Sequence, residues 1–436
     1  MAERMIIISL DAVGSRDLEY MGSLANFKKI REKSAYCDHV RSVYPSITYP
    51  AHCSIVTGQK PNKHGVINNI RVQPKRNGKE DWLWQRKYVK TETIYDLARK
   101  NGLSTAALLW PVTARSRIKY CVPEIFPNRD WQNQVMISAV SGPIAYQIDL
   151  LGKFGHLLDG LNQPNLDDFV TEAAEYTIRK YNPDLFLIHL TDVDTHRHKY
   201  GLDAPQVKAA MQRHDERLGR FLKALKETGD MEKTTVVVLG DHCQVATHTA
   251  VFPNYYLEQA GLLRVSDDGK VADYDFYAQH CDGCCYIYAS KNTEKILRFG
   301  KSQKRDELMK RLRAALQQIP KEAVKRIITR KEAETLGADG ECVCMLEAQP
   351  GYYFQNGFEK SCEKVEKMTE HAMYATHGYL PDIPDYETFF MMSGYGVKGG
   401  EVAEEMCLCD EGPTLAAILG VSLGETDGKV KKELLK

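Results

Sequence analysis

Short runs of apolar, largely β-branched residues recur along the chain, separated by longer stretches in which apolar positions return every three or four residues. Residues 5–10, 105–109, 184–190, 234–239 and 388–392 are the apolar runs, and their length and composition predict buried strands. Residues 166–180, 206–228 and 304–318 carry the helical period and predict amphipathic helices. Strands alternating with helices imply βαβ units, hence a mostly parallel sheet covered on both faces. In such sheets a ligand site lies beyond the carboxyl ends of the strands.

The residues just beyond each run are therefore the candidates for chemistry. Asp11 comes after the first; Asp192, Asp194, His196 and His198 after the third; Gly240, Asp241 and His242 after the fourth. Three strand ends bearing His and Asp suggest a metal site, since zinc accepts imidazole nitrogen and carboxylate oxygen. Asp194 and His198 are spaced i, i+4 and share one face of a helical turn. Asp192 and His196, two residues out of step, point elsewhere and read as supporting groups. Singly, each pair is ordinary on a protein surface; together they are not.

Residues 243–374 interrupt this pattern with a Lys/Arg/Glu-rich helix, short strands and clustered cysteines. We divide the chain into a catalytic core over 1–242, an inserted cap over 243–374 and a core return over 375–436. His280, Cys281, Cys284, Cys285, Cys342 and Cys344 invite a zinc-finger reading, but Cys-x-Cys is an unusual zinc pair and strand alternation explains it. Cys407 and Cys409 read as small buried apolar residues. His248 reads as structural or loop-exposed. Trp82, Trp84 and Tyr88 come after the Asn69 region and suit a cleft wall or a core equally.

Composition narrows the partners. Hydrophobic residues make up 43% and charged residues 27%, and 58 basic residues balance 58 acidic ones. That balance argues against polymeric nucleic acid, whose binders carry a basic excess, but allows a small phosphorylated substrate held at a local positive site. No apolar run reaches the roughly 18–20 residues of a membrane span, so no membrane partner is expected. Twelve cysteines without an export signal suggest reduced thiols and a cytoplasmic protein.

A candidate nucleophile lies between Tyr44 and Gly58. Thr48 stands two residues before Pro50 at the start of an apolar helical run, where backbone N–H groups and the helix dipole favour phosphate. An isolated Thr there more often serves only as a cap.

Taken in order, these segments resemble the nucleotide pyrophosphatase/phosphodiesterase branch of the alkaline phosphatase superfamily. The resemblance rests on residues 9–11 (Ser-Leu-Asp), 45–50 (Pro-Ser-Ile-Thr-Tyr-Pro), Thr57 and Gly58, 64–69 (His-Gly-Val-Ile-Asn-Asn), Trp110 and Pro111. It continues through Asp194 and 198–201 (His-Lys-Tyr-Gly), 240–242 (Gly-Asp-His), 377–379 (His-Gly-Tyr) and 413–420 (Pro-Thr-Leu-Ala-Ala-Ile-Leu-Gly). It implies an alkaline-phosphatase-like three-layer α/β sandwich with a central, mostly parallel sheet and an inserted α+β cap.

The resemblance also implies two divalent metal ions, zinc first among the candidates. One would be held by Asp194, His198 and His377, the other by Asp11, Asp241 and His242 with Thr48 Oγ. Thr48 would be the nucleophile, Asn69 a hydrogen-bond donor to a non-bridging phosphate oxygen, and Tyr49 a stacking platform for a base or leaving-group ring. The expected reaction is cleavage of a phosphodiester or pyrophosphate bond in a nucleotide-like small molecule through a phospho-threonine. A phosphonate hydrolase or phosphomonoesterase on the same core is the alternative, and an inactive metal or nucleotide sensor the non-enzymatic one. The chain departs from the pattern at Ala12, where Gly is usual, at Ala51, where Asn is common, and at Cys243, where Gly is usual. The last two are expected near the pocket.

Overall fold

The computed structural model describes residues 4–76 and 78–436. Eight strands form the central sheet: β1 Arg4–Leu10, β2 Ala35–Arg41, β3 Thr105–Leu108, β4 Tyr120–Val122, β5 Leu185–Leu190, β6 Thr234–Leu239, β7 Thr388–Gly394 and β8 Met406–Cys407, in the order β8-β2-β7-β6-β1-β5-β3-β4. All neighbours are parallel except β7, which runs antiparallel to both β2 and β6. The five apolar runs are all strands of this sheet.

Alternate residues of each inner strand enter opposite cores, which explains the near-continuous apolar runs. Met5 and Ile7 of β1, Leu185 and Leu187 of β5, and Val237 and Leu239 of β6 face one layer. Ile6 and Ile8, Phe186 and Ile188, and Val236 and Val238 face the other. The first layer includes helix α1, Thr48–Thr57, and the Leu408–Leu419 helix. The second includes helix α2, Asn165–Lys180, and helix α4, Pro205–Glu227, with helix α3, Asp192–Tyr200, between them in sequence. Burying one such aliphatic side chain stabilises by about 1.5–3 kcal/mol, so a sheet apolar on both faces requires both layers. The architecture is the alkaline-phosphatase-like sandwich.

After β6 the chain leaves this sheet. Phe276–Cys281, Cys284–Ala289, Cys344–Ala348 and Val324–Thr329 form a separate antiparallel sheet. Its core of Tyr277, Ile287, Leu308, Leu312 and Leu346 is distinct from the other two. The chain returns along Ala375–Thr376, which pairs with Val245–Val251, and then enters β7. The helix expected over 304–318 spans Ser302–Leu316. No helix among the described residues is long and apolar enough to cross a membrane.

Because β6, β1 and β5 are adjacent, the segments leaving their carboxyl ends converge. Gly240 permits the tightest part of that convergence: a Cβ there would collide with the Val13 carbonyl oxygen and Thr388 Oγ1. We predict that Gly240→Ala lowers the thermal midpoint and weakens metal binding together, read by calorimetry and metal titration. Unchanged values for both would show that the loop relaxes freely.

Candidate functional site

Helix α3 opens directly after β5 and puts Asp194 and His198 on one face, as their spacing predicts. Asp194 Oδ1 lies 3.2 Å from His198 Nε2 and 3.8 Å from His377 Nε2. The Ala375 carbonyl accepts a bond from His198 Nδ1 at 2.8 Å, which leaves Nε2 to face the site. Gln244 Nε2 donates to Asp194. Beside this group, Asp241 Oδ2 is 3.1 Å and Asp11 Oδ1 is 3.5 Å from His242 Nε2. The donor atoms of Asp194, His198 and His377 lie within 4.8 Å of one another, as do those of Asp11, Asp241 and His242. Among the described residues these two groups are the only such sets; the cap cysteines form none.

Thr48 is the first residue of α1 and is buried. Its Oγ1 lies 3.2 Å from His242 Nε2, so the hydroxyl points at the second group rather than back over its own helix. His52, one turn on, donates from Nδ1 to the Thr48 carbonyl at 2.8 Å and is held at Nε2 by Ser9 Oγ at 2.9 Å. Asn69 Oδ1 accepts the Tyr49 amide N–H at 2.9 Å, so its amino end is the one left to serve the cleft. Asp11, Thr48, Tyr49, Asn69, Asp194, His198 and His377 line one cleft of about 380 Å³, and Asp241 and His242 do not.

Electrostatics show what the two groups lack. Asp11 Oδ1, Asp241 Oδ2 and His377 Nδ1 are buried without a hydrogen-bond partner. Burial, then the charge of Asp194, push the Asp11 carboxyl up from 3.8 to about 7. Burial and the facing Asp11 push Asp241 well above the usual carboxylate range. Burial and the neighbouring His377 hold the His242 imidazole neutral. In the other group, against burial, the Asp194 carboxylate pushes His198 up to about 9, a proton that a cation displaces. A neutral imidazole at His242 and carboxylates that cannot both ionise beside each other are donors a divalent cation takes directly. The residues fit two such ions.

Ala51 and Cys243 fall elsewhere than expected, whereas Asp192, Trp82, Trp84 and His248 lie in one of the settings read for them. Ala51 is buried within α1 and Cys243 packs in the cap-side core; neither lines the cleft, because the residue after each motif turns inward as its helix or loop enters the packed layer. Asp192 is held by Arg213 and Arg217, at 2.7 Å each, away from both groups. Trp82 lines the cleft while Trp84 is buried against Phe126. His248 is exposed beside Thr249.

Sequence reasoning passed over three groups. His189 lies inside the apolar run of β5, yet its Nε2 is 2.9 Å from Asp11 Oδ2 and its Nδ1 donates to the Leu109 carbonyl at 3.1 Å. Glu124 accepts the Tyr49 hydroxyl at 3.1 Å inside the cleft. Asp282, hidden among the cap cysteines, reaches His377 Nδ1 at 3.5 Å. Only His189 left a mark in the sequence, as the one polar residue in Leu-Phe-Leu-Ile-His-Leu.

A mostly parallel sandwich with two His/Asp groups beyond its strand ends and a Thr at a helix start defines the alkaline-phosphatase class. The profile of the type I phosphodiesterase / nucleotide pyrophosphatase family matches residues 5–380, and the chain belongs to that family. Human ectonucleotide pyrophosphatase/phosphodiesterase family member 1 is 26% identical over 267 residues, 60% of this chain and 26% of that protein. Rat family member 3 is 22% identical over 420 residues, 92% of this chain and 40% of that one. The chain thus spans less than half the length of these curated relatives. Murine ectonucleotide pyrophosphatase/phosphodiesterase 5, an inactive variant in complex with AMP, superposes with a TM-score of 0.69 at 17% identity, covering 100% of both chains. The unmodified murine protein gives 0.68 at 18% identity. The superpositions establish the shared fold.

The raised Asp11 carboxyl sets a pH signature. Without metal, folded Asp11 keeps its proton up to about pH 7, whereas the unfolded group loses it near 3.8. The folded state then binds more protons, so metal-free stability falls as pH rises through that window. A cation displaces the proton. Asp241 is also held well above the carboxylate range, and against burial Asp194 pushes His198 up to about 9. Zinc titrated at pH 6 into buffers of different ionisation enthalpy is therefore expected to release more than one proton per protein; no release would place these groups outside the binding set.

Proposed function

We propose that the protein hydrolyses phosphodiester or pyrophosphate bonds of nucleotide-like small molecules with two bound divalent ions, zinc the first candidate. The observation that carries this reading is Thr48 Oγ1 at 3.2 Å from His242 Nε2, a hydroxyl at a helix start beside one of two three-donor groups. The ions, when bound, would lower the hydroxyl's pKa and neutralise charge on the phosphoryl oxygens. Asp194, His198 and His377 would hold one; Asp11, Asp241 and His242, with Thr48, the other.

The chain's own groups do the rest. Thr48 Oγ attacks phosphorus in line with the leaving oxygen, the P–O bond to the leaving group breaks, and a phospho-threonine forms. Water then attacks phosphorus and returns the Thr48 hydroxyl. Asn69, its carbonyl engaged by Tyr49 N–H, donates from its amino group to a non-bridging oxygen as charge builds. The first peptide N–H groups of α1 favour the same charge. The Tyr49 and Trp82 rings, 5.4 Å apart and edge-on, offer an apolar wall to a base or another ring.

Charge favours a diester over a monoester. The residues lining the cleft include no Lys or Arg among those described, and Glu124 adds a carboxylate. A phosphomonoester dianion would have no side-chain cation for its second charge, whereas a diester brings one charge and a second, uncharged arm. The murine relative with AMP supports a nucleotide arm. The twelve cysteines, all unpaired and ten of them buried, support a reducing compartment such as the cytoplasm, a placement that differs from the "ecto" in the relatives' names.

The test is kcat/KM on a nitrophenyl nucleotide diester and on nitrophenyl phosphate with zinc added. We expect a preference for the diester of at least 10-fold, about 1.4 kcal/mol in the barrier, and loss of turnover by 10³-fold or more, about 4 kcal/mol, in Thr48→Ala with zinc retained. Full activity in that variant removes the nucleophile assignment. A preference for the monoester would move the protein to the phosphatases.

A further inference from the structure

The cap's hairpin turn does more than cover the cleft. Between Phe276–Cys281 and Cys284–Ala289 the chain turns through Asp282, which sits at φ +56°, and Gly283. Two hydrogen bonds pin this hairpin to the core, and a third ties the segment it grips to the Thr48 loop. The Gly283 N–H donates to the His377 carbonyl at 2.8 Å. Asn68 Nδ2 donates to the His280 carbonyl at 2.9 Å. Gly378, whose Cβ would collide with the Cys281 carbonyl, donates in turn to Ser46, two residues before Thr48, at 3.0 Å. A Cβ on Gly283 would strike the Tyr379 ring. The turn thus locks onto the His377 and Asn68 loops directly, and onto the Thr48 loop only through Gly378.

Fixed this way, the Asp282 carboxylate is divided between two imidazoles. His280 Nδ1 meets Oδ1 at 3.2 Å, and Oδ2 stands 3.5 Å from His377 Nδ1. His377 Nδ1 is buried and makes no hydrogen bond, with the Asp282 carboxylate standing 3.5 Å from it, and its Nε2 is the atom 3.8 Å from Asp194 Oδ1. Asp282 itself is only 8% exposed. A buried carboxylate that turns its second oxygen toward the far nitrogen of a donor histidine needs a reason to be there.

We propose that Asp282 is a positioning residue for the Asp194–His198–His377 metal site, accepting the Nδ1–H of His377 so that Nε2 is the lone-pair end turned to the ion. The inference rests on the two-metal reading above. An imidazole carries its proton on one nitrogen only, and a carboxylate at Nδ1 fixes both tautomer and ring orientation while making Nε2 a better donor. The cap then supplies part of the metal site rather than a wall alone, and damage to the turn reaches the chemistry through His377. His198 gains its orientation differently, from the Ala375 carbonyl, so the two histidines of this group depend on different parts of the chain.

The variant that tests this is Asp282→Asn. Asn adopts positive φ at least as readily as Asp, so the turn is conserved, while the amide removes the negative charge. Zinc affinity of the metal-free protein, measured by competition with a chromophoric chelator, distinguishes the outcomes. We expect wild type to bind two ions, and Asp282→Asn to bind one as before and the other 10- to 100-fold more weakly, with kcat falling as the second ion is lost and recovering at high zinc. Asp282→Glu, which restores the charge, should recover part of the affinity. Two ions bound by Asp282→Asn with wild-type affinities overturns the role of Asp282 while leaving the two-metal reading intact. Failure of wild type to bind zinc or any other divalent ion overturns both.

Discussion

Two buried carboxylates side by side govern the architecture of this site. Asp11 and Asp241 leave the ends of adjacent strands β1 and β6, both are buried, and each keeps one oxygen without a hydrogen-bond partner. Burying charge without compensation is costly, and a carboxylate in that position either holds a proton or meets a cation. The rest of the fold maintains this frustration. Parallel strands packed on both faces fix where Asp11 and Asp241 emerge; Gly240 lets the two loops approach; His189 and His52 wall the site from within. The sandwich stores, in rigid form, a demand for positive charge at one end of the sheet.

That demand makes the three-strand convergence chemically specific. β5 delivers α3, so Asp194 and His198 arrive on a helix whose own turn sets their separation. Asp241 and His242 arrive on a loop, as neighbours. The remaining donor, His377, comes from the far side of the cap and depends on the return of the chain toward β7. Thr48 closes the set from the start of a fourth element, α1. Helices carry Thr48, Asp194 and His198, while Asp11, Asp241, His242 and His377 lie on the turns and loops that follow strands.

Strand ends and the helix carrying Asp194 and His198 were legible in the sequence because periodicity and spacing are local properties. The two groups of three were legible only through ordered motifs, since nothing local relates Asp11 to Asp241. The antiparallel direction of β7 left no trace: an apolar run reads alike in either direction, and the chain's excursion through the cap decides which end it enters from. Strand β2 was missed because Ala-Tyr-Cys-Asp-His-Val-Arg carries polar residues toward the edge strand β8. Asp282 was missed because its meaning comes from a turn docked on a distant loop, and its cysteine neighbours drew attention. Those cysteines are buried among Tyr44, Tyr286 and Met345, where small apolar side chains fill the seam between cap and core.

The departure at Ala12 shows how the site tolerates a locally wrong residue. Ala12 sits at φ +61°, the left-handed region that favours glycine, which costs a residue with a Cβ on the order of 1–2 kcal/mol. Its amide donates to Asp241 Oδ1 at 3.1 Å, and its carbonyl accepts from Arg197, which is itself paired with Asp17 at 2.5 Å in a buried ion pair. The strained peptide is therefore gripped at both ends: one hydrogen bond aligns Asp241, and the other ties the turn after β1 to α3, the helix that carries Asp194 and His198. A hydrogen bond to a charged group contributes about 1.5–3 kcal/mol, so the Arg197 bond alone is comparable to the strain. Glycine would relieve the torsion but leave the turn freer in the unfolded chain, and the alignment of the two carboxylates depends on Arg197 and Asp241 more than on the residue between them.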